Sequence, residues 1–407
     1  MALPAASSSP RDATALNRDV PVAAPGEFRP LRLGDVSVWP PVVLAPMAGV
    51  TNYPFRTLCR EYGAGLYVSE MITARGFLEG NEMTRLLASS RPDERPRSVQ
   101  LYGSNPSDLE ATARVLVDDG VQHLDLNFGC PVPKVTRHGG GSAIPVKPRL
   151  MARLVAAAVR GAGRVPVTVK VRLGIDDRRL TYLDAGRVAE AEGAAAIGLH
   201  ARTAAQLYAG AADWDAIAAL KSAVRIPVLG NGDVWECWDA LRLMRRTGCD
   251  GVIVGRGCLR RPWLFAELAA VFDGREPAPQ PRFGAVAGLM RRHARMLVDF
   301  FGPLNGMRQM RKWSVWYTTG FRNSAPARAA LVRVERLDEL HTIIARLDPE
   351  EPFPTATVRS NRVKDGRVQR RVALPAGYLR DRDDDTPPTP PFDPRERAAF
   401  ERALDGG

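Results

Sequence analysis

The sequence predicts an α/β protein, a (β/α)8 TIM barrel followed by a smaller all-α helical domain and a C-terminal extension. Three observations carry this. Eight short apolar runs alternate with amphipathic helical stretches from about Val42 to about Gly255, the pattern of repeated strand-helix units. Polar residues gather at the C-terminal ends of those runs, where such barrels form their sites. Beyond "RPWLFAEL" the strands stop and longer helical segments take over.

In order, the runs are "VVLA" from Val42, "LYVS" from Leu66, "SVQL" from Ser98, "HLDLN" from His123, "VTVKV" from Val167, "AIGLH" from Ala196, "PVLGN" from Pro227 and "GVIVG" from Gly251. Most are separated by roughly 25 to 45 residues, room for a crossover helix and its loops. A doubly wound sheet would alternate in the same way. It predicts a G-x-G-x-x-G turn after its first strand, however, and "APMAGVTNYPFR" is not one. Gln100, Asn127, Lys170, His200 and Asn231 end their runs, with Gly255 and Arg256 beside the last. A barrel brings all of these to one face.

Residues 1–29 read as a disordered leader of Ala, Ser, Pro and charges, without the continuous apolar core of a signal peptide. Residues 30–280 read as the barrel, 281–350 as the helical domain and 351–407 as the extension. In the extension, a hairpin is expected around Asp365-Gly366, a loose linker at "DRDDDTPPTPP", and a short helix from Asp393 and Pro394.

At 407 residues and 45% hydrophobic content the chain can bury a sizeable core. Its net charge of +12 favours polyanions, or else gives a merely solvated basic surface. Cys59, Cys130, Cys237, Cys249 and Cys258 form no C-x-x-C pair and no zinc-finger spacing. Reduced thiols, no metal and a cytoplasmic location are therefore expected. No apolar stretch approaches the ~18 residues of a membrane span.

"GNGDVW" and "GVIVGRGCLRRPWLF" follow the seventh and eighth runs, the usual phosphate cradle of this barrel, and Arg256 adds a charged fork. "APMAG" offers extended backbone and a thioether to a planar ring, while Gln100 and Lys170 bring an amide and a cation to a ring's polar edge. Lys170 suits the negative charge of a reduced flavin. His200 either donates to a cofactor or is a structural hydrogen-bonder, and Asn127 either faces a ligand or caps its turn. Cys130 sits in a loop without metal-ligand partners. A thiol of unperturbed pKa about 8.5 stays protonated near neutral pH and can serve as a general acid. In "GMRQMRKWSVWYTTGF" the aromatics Trp313, Trp316, Tyr317 and Phe321 either pack a helical core or join Arg308, Arg311 and Lys312 in gripping an RNA backbone.

"APMAGVTNYPFR", "QLYGS", "DLNFGCPVPKV", "GSAI", "VTVKVRLG", "LHARTAAQLYAG", "VLGNGDV", "GCDGVIVGRG" and "RKWSVWYTTGF" resemble, in order and spacing, the bacterial tRNA-dihydrouridine synthases, over roughly Arg32 to Leu347. The resemblance implies an FMN-bound barrel and a helical tRNA-binding domain that reduce uridines of tRNA with electrons from NADPH (or NADH). It places FMN contacts on Pro46, Met47, Ala48, Gln100, Lys170, His200, Asn231, Gly232, Asp233, Gly255 and Arg256. Cys130 takes the proton-donor role. Asn127, Arg172, Arg202, Gln206 and Tyr208 face the target base or its neighbours, and Arg308, Arg311 and Lys312 the tRNA.

The implied chemistry adds hydride from flavin N5 at uracil C6 and a proton from Cys130 at C5. The base must leave its stack to react. A cytoplasmic monomer is expected. Asn52, Phe128, Gly140 and Trp313 depart from the family's usual Asp, Met, Ala-like residue and His. Two alternatives remain: a flavin-dependent oxidoreductase on a free pyrimidine, like dihydroorotate dehydrogenases, or a non-catalytic tRNA-binding protein. The first would not need the basic helical appendage. The second predicts loss of the flavin set or of Cys130, and both are intact.

Overall fold

The computed structural model describes residues 20–359 and 370–388. A hairpin comes first, β1 (Leu31–Leu33) paired antiparallel with β2 (Val36–Val38). Its Leu31, Leu33 and Val38 pack against Val43, Leu66, Ala196, Leu229 and Ile253, residues of five of the sheet's strands.

Nine parallel strands follow: β3 (Val42–Leu44), β4 (Leu66–Tyr67), β5 (Met71–Thr73), β6 (Ser98–Tyr102), β7 (His123–Phe128), β8 (Val167–Arg172), β9 (Ala196–His200), β10 (Val228–Asn231) and β11 (Gly251–Val254). Their order is β4-β3-β11-β10-β9-β8-β7-β6-β5. The two ends, β4 and β5, are consecutive pieces of one stretch. Across the break Ser69 N–H donates to Ser98 O at 3.1 Å. The sheet therefore closes into a barrel of eight staves, the second of them interrupted at Val68–Glu70.

Helices return the chain between staves, α1 (Tyr53–Glu61), α2 (Ala74–Leu78), α3 (Glu82–Ala88), α4 (Pro106–Asp118), α5 (Pro133–Thr136), α6 (Pro148–Ala162), α7 (Tyr182–Ala191), α8 (Trp214–Ala223) and α9 (Cys237–Thr247), and α10 (Leu264–Phe272) follows the last stave. Their starts are legible. Asn52, Asn105 and Asp213 accept hydrogen bonds from the first-turn N–H groups of α1, α4 and α8, and Pro54 and Pro106 sit where a missing N–H costs nothing. Four further helices complete the body: α11 (Phe283–Phe301), α12 (Pro303–Thr318), α13 (Ser324–Leu331) and α14 (Leu337–Ile344). Among the described residues no helix is long and apolar enough to cross a membrane.

Two expectations need correction. Residues 20–29 are not a loose leader: Ala23 N–H donates to Val271 O at 2.9 Å, Phe28 meets Phe272 edge-on at 5.1 Å, and Glu27 pairs with Arg245 at 2.6 Å. Their apolar side chains cover the end of α10. Nor is 381–388 a loose linker, since Asp384 pairs with Lys147 and Asp385 with Arg153 at 3.1 Å. The hairpin expected around Asp365-Gly366 and the helix expected from Asp393 lie outside the described residues.

Candidate active site

The site is assembled from strand ends. In β7, Leu124, Leu126 and Phe128 join the main core, while His123 and Asp125 line a small cavity inside the barrel. β8 repeats the pattern, with Val167, Val169 and Val171 in the core and Thr168 and Lys170 on the cavity. Asn127 continues the inward register of β7 at the mouth.

A chain of hydrogen bonds runs from the cysteine loop to a buried carboxylate. Gly129 and Cys130 N–H donate to Asn127 Oδ1 at 3.1 and 2.9 Å. Asn127 Nδ2 donates to Gln100 Oε1 at 3.0 Å, and Gln100 Nε2 to Asp125 Oδ2 at 2.7 Å. Thr168 Oγ1 donates to Asp125 Oδ1 at 2.5 Å. Backbone N–H groups only donate and an ionised carboxylate only accepts, so both amides have a single orientation. Burial pushes the Asp125 carboxyl up to about 6, opposed by its hydrogen bonds from Thr168 and Gln100 and by the charge of Lys170.

Lys170 Nζ donates to Asn231 Oδ1 at 3.1 Å, and Asn231 Nδ2 to Ile253 O at 2.7 Å. Burial and then the neighbouring Arg172 pull the ammonium down to about 8, which leaves it charged at neutral pH. Arg172 is a clamp between two loops. Its Nε donates to Gly129 O at 2.9 Å, and its Nη1 to Thr203 O and Leu207 O at 3.1 and 2.9 Å.

Cys130 is half-buried. Ser142 N–H holds its carbonyl at 3.0 Å. Gly141 has φ 54°, and a Cβ there would stand 2.5 Å from Cys130 O, so only glycine lets the loop close. Burial pushes the thiol up, with the Val132 N–H, Arg172 and Lys170 pulling the other way. The thiol thus keeps its proton at neutral pH.

On the other side of the mouth, Gly232 and Asp233 take φ of 134° and 56° in succession. A Cβ on Gly232 would come within 2.6 Å of Ala212 Cβ. Arg202 is 2% exposed; its Nη2 lies 2.7 and 2.8 Å from the two Asp233 oxygens, and its Nε donates to Ala209 O at 3.1 Å. Its Nη1 is buried without an acceptor, 3.7 Å from where that Gly232 Cβ would sit. Arg256 stacks its guanidinium 4.3 Å from the Tyr208 ring and 5.0 Å from that of Trp235. Burial, followed by the charges of Arg172, Lys170, Arg202 and Arg256, holds His200 well below the usual imidazole range, so it is neutral.

A buried N–H without an acceptor costs about 1–3 kcal/mol, which a bound anion relieves. One unpaired guanidinium N–H beside a positive-φ glycine turn, in a mouth that also carries Lys170, Arg172 and Arg256, fits an anionic group such as a phosphate. Pro46 lines the inner cavity, Met47 Sδ lies 3.7 Å from where a Cβ on Gly255 would stand, and Ala48 is exposed at the rim. The residues expected around a flavin therefore meet at one mouth.

Several residues expected to face RNA are placed otherwise. Arg202 is locked onto Asp233. Asn127 caps its own turn, and Gln206 Oε1 accepts from Thr203 N–H at 2.7 Å within its own loop. Tyr208, 37% exposed, stays at the rim. Lys312 turns inward to Gly49 O and to Gln309 Oε1, the latter at 2.8 Å. Arg311 donates to Val334 O at 3.0 Å, whereas Arg308 is exposed.

Trp313 is fully buried, its ring 4.3 Å from Phe55 and 4.7 Å from His293, so of the two readings of the aromatics the helical-core one holds for it. Asn52 caps α1 through Phe55 N–H at 3.2 Å. Phe128 is core. A Cβ on Gly140 would meet the Tyr102 ring at 2.7 Å, which accounts for glycine in this chain. Asp125 and Thr168 went unnoticed in the sequence. The signal was there, a polar residue at every second position of "HLDLN".

A family model described as dihydrouridine synthase matches residues 43–351. A probable tRNA-dihydrouridine synthase of Mycobacterium tuberculosis (strain CDC 1551 / Oshkosh) is 53% identical over 366 residues, 87% of this chain and 93% of its own. tRNA-dihydrouridine synthase B of Xanthomonas axonopodis pv. citri (strain 306) is 40% identical over 310 residues, 76% of this chain and 92% of its own. Among solved structures, morphinone reductase in complex with tetrahydroNAD covers 63% of this chain and 93% of its own at 13% identity and a TM-score of 0.42, a likeness too slight to argue from. By the family match and these sequence relatives, the chain belongs to the dihydrouridine synthase family.

Proposed function

We propose that this chain reduces the C5=C6 bond of uridines in tRNA to 5,6-dihydrouridine, using FMN at the barrel mouth and NADPH (or NADH) as electron source, as a cytoplasmic monomer. The observation that carries the reading is a protonated, half-buried thiol, Cys130, in the same mouth as Lys170 and the orphaned Arg202 Nη1.

When bound there, FMN supplies a hydride to C6 of the uracil. Cys130 gives its proton to C5, and the two additions together saturate the double bond. Arg172 and Asn127 hold the cysteine loop in place for that transfer. Lys170 keeps a positive charge facing the ring's polar edge, Gln100 presents its remaining amide valences to the same ring, and Asn231 orients Lys170. Gly232, Asp233, Gly255 and Arg256 with Arg202 seat the phosphate. Tyr208 offers a rim surface on which an extruded base stacks. Residues 281–350 serve as the tRNA-binding domain, with Arg308 the open cation of α12.

The test is direct. Purified protein carrying FMN, given NADPH and unmodified tRNA, forms dihydrouridine in the tRNA and leaves free uridine unreduced. Equal reduction of free uridine would replace the tRNA reading by that of a free-pyrimidine reductase.

A further inference from the structure

The C-terminal segment 370–388 crosses the catalytic face instead of leaving it. Arg370 N–H donates to Ala205 O at 2.9 Å, in the loop that bears Tyr208. Val372, Leu374 and Tyr378 pack on Ala143, Val146 and Ile175. The Tyr378 hydroxyl lies 3.3 Å from the carbonyls of Gly139 and Ala143, each two residues from the Gly141 that closes against Cys130. Lys147 pairs with Asp384 and sits 4.6 Å from the Tyr378 ring. The segment is thus fastened to the loops after β7, β8 and β9.

Between the segment and the loops after β8 and β9 lies a cavity of about 790 Å³, within the roughly 300–1,000 Å³ usual for ligand sites. Four arginines line it, Arg179, Arg370, Arg371 and Arg380, against one acidic residue, Asp176. That carboxylate is already paired with Arg179 Nη1 at 2.9 Å. A solvated charge run would need no such wall, whereas here the arginines share the cavity lining with Val372, Leu374 and Ile175, which pack in one apolar cluster. Guanidinium forks match phosphate oxygens two at a time.

We propose that this cavity seats a backbone phosphate of the RNA strand beside the target nucleotide, which makes the C-terminal segment part of the substrate-binding face. The inference rests on the tRNA reading above. It reaches beyond the family match, which ends at residue 351.

The experiment compares Arg371→Glu/Arg380→Glu with Arg164→Glu/Arg225→Glu. The second pair makes the same charge change on the loops that precede β8 and β10, at the opposite end of the barrel. Steady-state kinetics on unmodified tRNA and tRNA binding across a salt series are measured on the FMN-loaded proteins. The first pair raises KM about tenfold with kcat within about twofold, and flattens the slope of log affinity against log salt by about one to two. The second pair leaves KM and slope near wild type.

Flavin content and Tm report folding. If charge reversal prevents folding, Arg371→Gln/Arg380→Gln carries the test, with a smaller rise in KM and the same flattening. A folded variant with unchanged KM and slope overturns the proposal, as does an equal effect from the control pair. Should the wild type bind tRNA through these arginines and yet form no dihydrouridine, the catalytic reading fails and the phosphate site stands.

Discussion

At the barrel mouth and just inside it, side chains withdrawn from solvent carry charge: Arg172, Arg202 and Asp125 are buried and Lys170 partly so, each held by named partners. In α12, an equally basic stretch of sequence does the reverse. Its large buried side chains include Met307, Met310, Trp313 and Tyr317, and its cations turn to solvent or to neighbouring loops. Burying an ion is costly unless partners compensate it. The mouth retains several such ions where a ligand would meet them, the usual mark of a functional site. In the helix, a 3.6-residue period decides which side chains are core, and the aromatic residues follow it.

Breaking the helical side of this contrast should have the larger effect on stability. Trp313→Ala removes a ring packed against Phe55, His293 and Tyr317. It should cost about 3–5 kcal/mol, read as a lower denaturation midpoint, with KM for tRNA unchanged in the folded fraction. A raised KM at unchanged stability would return Trp313 to the RNA surface.

The mouth side is sharpened by Asp125. In Asp125→Leu the Gln100 amide loses its acceptor and the cysteine loop its anchor, so turnover should fall about tenfold through misplacement of the thiol. Asp125→Asn keeps an acceptor and should stay within about threefold. Alkylation of Cys130 by iodoacetamide, followed in parallel, should change in rate for Leu and not for Asn. If Asn is as impaired as Leu, the charge itself matters, and the positioning role is wrong.

Much of the barrel was legible because each of the eight apolar runs is a stave, and the polar residues at their ends share one face whatever the loops do. The second stave was read as continuous, and it breaks at Val68–Glu70, where Glu70 reaches across to accept from Gly49 N–H. Local pattern carries no trace of that contact. The same holds for the misread ends: Phe28 is ordered by Phe272, and Asp384 by Lys147, partners more than two hundred residues away. Asp125 was hidden for another reason. It stands between leucines in a run whose length and bulk already spelled a buried strand, and only its alternation with His123 and Asn127 reveals an inward polar face.

One measurement bears on the central claim most directly, that the thiol held by Asn127 and Arg172 delivers the proton. Cys130→Ala is loaded with FMN, reduced, and mixed with unmodified tRNA while flavin reoxidation is followed in a single turnover. Reoxidation about a hundredfold or more slower than wild type, with flavin content unchanged, is the predicted result. Reoxidation at the wild-type rate, with dihydrouridine formed, would contradict it.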